Sequence, residues 1–215
     1  LADKTLVSEM LKFSLPFLPT LISAWIINWS SRFFMTGHVE LDDIGIFSAA
    51  QKIAMLFFVF SQALTLVATP RVYRLLKNQH FMHTKGLMVL NVKVLAFLAL
   101  LIVFLIPPVI NYFVPNTYVG IEVYLLILIC INFISASMGV TSNLLFSFYK
   151  KTFTQMVHFL IIAVLAILMN TFLIPIYGMI GVFISLSLTM ICMLFGHIYL
   201  VQKFSTDVMP TGQLA

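Results

Sequence analysis

Six stretches of the chain are apolar for long enough to cross a lipid bilayer, and this limits the fold more than any motif does. They run over about 13–35, 44–69, 87–110, 121–147, 154–174 and 179–201. A helix needs roughly 20 apolar residues to span a hydrocarbon core about 30 Å thick. Backbone N–H and C=O groups in lipid must be paired internally, so runs of this length form helices. Composition agrees: 61% of the 215 residues are hydrophobic and 9% are charged. A soluble domain carries roughly 25% charged residues to cover its surface, so most of this chain's solvent is lipid. The expected fold class is an all-α integral membrane protein, a single transmembrane unit of six helices over 1–215.

Prolines and glycines punctuate the runs. Pro107 and Pro108 are expected to close the third span and Pro175 the fifth, because proline removes a backbone donor and clashes with the preceding turn. The stretch "LIPIYGMIGVFIS", residues 173–185, then reads as a hairpin turn at the membrane surface. Pro175 ends one span, and Gly178 supplies the backbone freedom to begin the next, with Gly181 just beyond. Pro16 and Pro19 either bend the first span or leave a static kink.

Charge orients the runs. Lys4 and Lys12 precede the first, Arg71, Arg74, Lys77 and Lys85 fill the second gap, Lys150 and Lys151 the fourth, and Lys203 follows the last. The first gap holds Glu40, Asp42 and Asp43 beside Arg32, and the third holds Glu122. Basic residues collect on the cytoplasmic side, so both termini and the even gaps are expected there. The net charge of +5 is thereby explained by topology, and no nucleic-acid partner is expected. Cys130 and Cys192 lie inside apolar runs and read as packing residues rather than a disulfide or metal set. The opening "LADKTLVSEM" has neither an initiator Met nor the pattern of a signal peptide, which suggests a piece of a longer chain.

Polar residues inside the spans are the candidate site. On a wheel of 100° per residue, Gln51, Gln62, Thr65 and Thr69 fall within about 60° of one another, flanked by Ser48, with Lys52 about 100° round. The amides and hydroxyls either bond between helices or line a cavity. Lys52 either snorkels to an interface or lines water. Arg32 either anchors at the interface beside Trp29 or attracts an anionic head group. Lys93 reads as a snorkelling residue. Asn132, Ala136, Gly139 and Asn143 form a helix-packing face, and His158 and His197, each alone in sequence, read as structural. No Walker A loop, GxSxG elbow, HExxH or other metal-ligand set occurs, so an enzyme is not expected. No cofactor or metal is expected either.

Two stretches, "LKFSLPFLPTLISAWIINWSSRFFM" and "IGIFSAAQKIAMLFFVFSQALTLVATPRVYR", resemble the first helix pair of the C-terminal half of Wzx-like polysaccharide or O-antigen flippases. These belong to the polysaccharide branch of the MOP superfamily, and "LIPIYGMIGVFIS" resembles the turn between the last two helices of that half. The resemblance implies one six-helix lobe of a MATE/MOP-like transporter, with an N-terminal lobe absent. It implies translocation of an undecaprenyl-pyrophosphate-linked oligosaccharide across the bacterial inner membrane, with possible coupling to a proton or sodium gradient. The implied partners are the bilayer, that substrate, the missing lobe and the polysaccharide polymerase machinery. Lys52 and Arg32 would meet the pyrophosphate, and Gln51, Gln62, Thr65 and Thr69 the sugar. Ser31 stands where many relatives carry Asp before the Arg, so no acid–base pair is assigned there. The alternatives are a multidrug or cation antiporter of the same superfamily, an integral-membrane enzyme acting on lipid-linked sugars, and an inactive truncated lobe.

Overall fold

A computed structural model describes residues 4–78, 80–113, 120–139, 146 and 148–208. Among these, seven helices follow in order: α1 Lys4–Ser14, α2 Phe17–Trp29, α3 Ser31–Met35, α4 Leu41–Lys77, α5 Phe81–Phe113, α6 Ile121–Met138 and α7 Thr152–Val208. Five helical segments are long and apolar enough to cross a membrane: Met10–Met35, Leu41–Lys77, Met82–Leu105, Ile121–Met138 and Thr152–Lys203. The fold is all-helical, as the runs require, but its joints differ from the expected ones.

The first run begins at a real break. Pro16 is the N-cap of α2 with φ −65°, and Pro19 lies in the first turn, where a missing N–H has no helical acceptor to disappoint. Thr20 closes that turn by donating its hydroxyl to the Pro16 carbonyl at 2.8 Å. At Ser30, itself at φ −62° and ψ −32°, the helix tightens for one residue, with the Phe33 N–H donating to the Ser30 carbonyl at 3.0 Å, before α3 begins. Gly37, at φ +88°, then turns the chain into α4. Asp42 and Asp43 sit in the first turn of α4, where the helix dipole favours negative charge.

α4 is far longer than the expected 44–69. Its 37 residues extend about 55 Å at 1.5 Å per residue, and they run through Pro70. Arg71, Arg74 and Lys77 therefore lie on the helix rather than in a loop, and the expected second gap shrinks to 78–80. α5 likewise does not stop at Pro107 and Pro108 but continues to Phe113. The fifth span does not stop at Pro175 either, since α7 is helical on both sides of it. One physical reason covers all three. A proline deletes a single i→i−4 bond, and in lipid the alternative to a locally distorted helix is a fully unpaired backbone, which costs more. Of the expected fourth run, 140–145 and 147, with Asn143, lie outside the described residues.

The last reversal is made by one residue. Gly178 has φ +55° and ψ −129°, a conformation that a side chain resists. α7 is consequently two antiparallel arms, 152–177 and 179–208, the hairpin expected over 173–185, with Gly178 as its turn. Their register is fixed by pairs that straddle Gly178 at matching distances. Ser185 meets Asn170, and Cβ atoms built on Gly181 and Gly196 would strike the Leu173 backbone and the His158 ring.

The arms pack against α2 and α3 on one side and α6 on another, while α4 packs on α5 and α6. The shared core joins Phe47, Ala50 and Ala54 of α4 to Leu125 and Ile129 of α6, and to Ala163, Ala166, Val182 and Met190 of α7. Its small residues let backbones approach, which matters because lipid supplies no hydrophobic drive between helices. Large apolar side chains such as Leu66, Phe104 and Phe195 point outward and are mostly exposed, as a lipid solvent allows. Cys130 and Cys192, read from the sequence as packing residues, are on that outer surface too, because the small thiol falls on the helix faces turned away from the core.

Candidate functional site: an arginine beside a polar cleft

Asn28, Trp29 and Arg32 are one and three or four residues apart, which places them on one face across the α2–α3 junction. The guanidinium of Arg32 stacks over the Trp29 ring, 4.8 Å from its centroid. From that position it reaches α4, where Nε and Nη2 both donate to Gln51 Oε1, at 3.0 and 2.6 Å. Arginine has five N–H donors, so this forked contact leaves three for another acceptor. The partner is a neutral amide. An incoming phosphate or carboxylate would form charge-assisted bonds, roughly twice as strong.

Beside this pair lies a cleft of about 130 Å³ between α2, α4, α6 and the second arm of α7. Asn28, Trp29, Gln51, Asn132 and Ser135 supply its polar wall, and Met55, Phe58, Leu128, Leu186 and Met190 are among its apolar residues. None of the lining residues carries a charge, so Arg32 sets the sign of the field there. Asn28 and Asn132 each spend one amide N–H on the carbonyl four residues back, at 2.7 and 2.9 Å, and keep their remaining polar atoms for the cleft.

The other expected site residues are distributed elsewhere. Lys52 is exposed and lies on the side of α4 opposite buried Ala50, Ala54, Phe57 and Ser61. Gln62 is exposed and Thr65 and Thr69 are half-buried. They stand roughly 16–27 Å further along α4 than Gln51 at 1.5 Å per residue. The two threonines donate to the carbonyls of Ser61 and Thr65 on their own helix, at 2.9 and 2.6 Å. Lys93 is exposed on α5. Of the predicted set the structure thus joins Arg32 with Gln51. Sequence reasoning passed over Asn28 and Ser135 and assigned Asn132 to packing; the available signal was a polar residue on each of two apolar runs, with Asn132 and Ser135 three apart on one face.

A second polar contact, fully buried, holds the cleft's walls together. Asn170 Nδ2 donates to Ser30 Oγ at 2.9 Å, and Ser185 Oγ donates to Asn170 Oδ1 at 2.6 Å. One amide thereby ties the α2–α3 junction to both arms. The two histidines expected to stand alone are instead adjacent, with ring centroids 4.9 Å apart. Antiparallel folding at Gly178 brings them to the same level.

No protein-family model matches the chain, and no curated protein matches it. Two solved structures do. One is a MOP superfamily transporter from Pyrococcus furiosus, in which reverse polarity of the binding pocket suggests a different function. It superposes with a TM-score of 0.65 at 14% identity. The other is a multidrug resistance MATE family transporter of the MOP superfamily in its outward-facing conformation, with a TM-score of 0.64 at 14% identity. In each case 92% of this chain is matched, and this chain spans 44% of the longer one. The fold of this chain is therefore similar to just under half of each of these two structures.

Proposed function

We propose that the chain is one lobe of a membrane transporter that moves an anionic, lipid-linked oligosaccharide between leaflets of the bacterial inner membrane. The observation that carries this reading is Arg32, half-buried, holding spare donors beside a cleft whose lining has hydroxyls and amides but no carboxylate. A pyrophosphate would take the free N–H groups of Arg32 in exchange for the neutral Gln51 contact. Asn28, Asn132, Ser135 and the released Gln51 would bond sugar hydroxyls, and Trp29 offers a ring face. The polyprenyl tail would stay in lipid beside the outward apolar side chains. No bond is made or broken in the substrate. Passage would come from alternating access against a second lobe belonging to the same longer protein, with both termini cytoplasmic. A proton or sodium gradient is the proposed drive.

A multidrug antiporter is the second reading, supported by the likeness to a multidrug resistance transporter. It would require an acid in the cleft to exchange for a cation, which would have to come from the other lobe. The deciding experiment is complementation of a bacterium lacking its O-unit flippase with the full-length parent gene, scoring surface polysaccharide and drug resistance. Restored polysaccharide, lost with Arg32→Ala at equal membrane abundance, supports the flippase. Drug resistance without polysaccharide in hosts of several sugar types replaces it with the antiporter.

A further inference from the structure

The terminal hairpin buries two imidazoles that the cleft does not use. His197 is 2% and His158 is 9% exposed. The His158 ring donates to the backbone carbonyl of Met193, while His158 Nε2 and both ring nitrogens of His197 have no hydrogen-bond partner. A neutral imidazole carries one donor and one acceptor, so these are polar atoms held in an apolar place at a cost. The surroundings are aromatic: Phe146 and Phe159 lie edge-on to His197, at 5.8 and 6.1 Å. Gly196 makes room for this ring, since a Cβ at that position would push the His158 imidazole aside.

The separation of the rings is informative. An imidazole nitrogen sits roughly 1.1 Å from its ring centre, so facing nitrogens across this gap come within roughly 2.7 Å, hydrogen-bond distance. The bond from His158 to Met193 leaves its Nε2 as the acceptor. A half-turn of the His197 ring exchanges carbon for nitrogen at the facing position. We propose that His158 and His197 form one proton-binding site, in which a single proton entering from water is held between His158 Nε2 and a nitrogen of His197. The site then passes reversibly from neutral to singly positive, and a second proton is excluded by the first at this distance in an apolar surrounding.

Among the described residues, the basic groups and the acid of the surrounding elements are turned to the surface. Lys12 of α1, Lys150, Lys151 and Lys203 are exposed, Tyr149 is half-buried, and Glu122 is exposed at the opposite end of α6 from Met138. Such a site in the last hairpin would give the transport reading above its coupling ion, and for that meaning it rests on that reading. The site itself does not.

The test is nitrogen-15 NMR of histidine-labelled chain in nanodiscs, with His38, His80 and His83 replaced by Gln so that only the two buried rings report. Between about pH 3 and 8, both rings are expected to shift with one common midpoint and to take up one proton per chain. His158→Gln or His197→Gln is expected to weaken proton binding by the remaining ring about tenfold or more, one pH unit or more in midpoint. Gly196→Ala, which keeps both rings but displaces His158, is expected to split the common midpoint. Rings that stay neutral throughout, midpoints indifferent to the partner's removal, or an unchanged titration in Gly196→Ala each overturn the proposal. Failed complementation leaves these outcomes untouched and counts against the transport reading alone.

Discussion

Replacing Asn170 by alanine removes a side chain that bonds the α2–α3 junction and the second arm of α7 at once. Asn170 is 1% exposed, as is Ser185, and Ser30 is 6% exposed, so none of the three finds water once its partner is gone. Hydrogen bonds between membrane helices average about 0.6 kcal/mol and reach about 1.7. A buried hydroxyl left unsatisfied costs about 1–3 kcal/mol. Two lost bonds and the stranded Ser185 donor give an expected destabilisation of about 2–4 kcal/mol for Asn170→Ala. Ser185→Ala alone should cost about 1 kcal/mol, since it removes one bond of the pair. In the Asn170→Ala background the same change should instead recover about 1–3 kcal/mol, because it removes the hydroxyl left without an acceptor. The coupling energy is therefore expected to be about 2–4 kcal/mol, well above the ~0.3 kcal/mol scatter of independent sites. Reversible unfolding in mixed micelles, followed by circular dichroism for all four members of the cycle, measures it. Additive costs would refute the idea that Asn170 acts as a link rather than as a filler of space.

Three further outcomes are expected. Gly181→Ala should lower stability by about 1–3 kcal/mol, because its Cβ meets the Leu173 backbone, which cannot move aside as a side chain can; chemical denaturation reads this. Gly178→Ala should cost a similar ~1–3 kcal/mol through its left-handed backbone, and the two effects should separate by proteolysis, with cleavage near 178 rising for Gly178→Ala. In the complementation assay, Arg32→Lys should keep part of the activity, since it retains charge but not the fork that meets Gln51. Lys52→Ala should leave more activity than Arg32→Ala, because Lys52 lies away from the cleft.

Hydropathy carried the fold because lipid imposes a length and an internal hydrogen-bonding rule that composition alone reveals. The joints were harder. Prolines 107, 108 and 175 looked like stops, yet helices run through all three, since a stop in lipid exposes more backbone than a proline disrupts. The Arg32–Gln51 contact was half legible: both residues stood out as polar groups in apolar runs, but their meeting depends on how α3 approaches α4, which no periodicity encodes. The Asn170 link was invisible for the same reason, as it joins residues 140 positions apart. The histidine pair was in principle readable. Once Gly178 is taken as the point of reversal, His158 and His197 lie at nearly equal chain distances from it, and an antiparallel hairpin has to bring them level.

The length of α4 turns it into a lever. Gln51 lies near one end beside the cleft, and the helix continues unbroken for roughly 29 Å at 1.5 Å per residue before it meets Pro70. A tilt of about 10° pivoting at Gln51 would swing that point by roughly 5 Å. Pro70 lacks the N–H that would otherwise tie it to Leu66, so bending there is easier than elsewhere along the rod. Small rearrangements around an occupied cleft would thus be magnified at Arg71, Arg74 and Lys77, with Pro70 as the elbow that decides whether those charges follow the rod or stay with the opposite membrane surface.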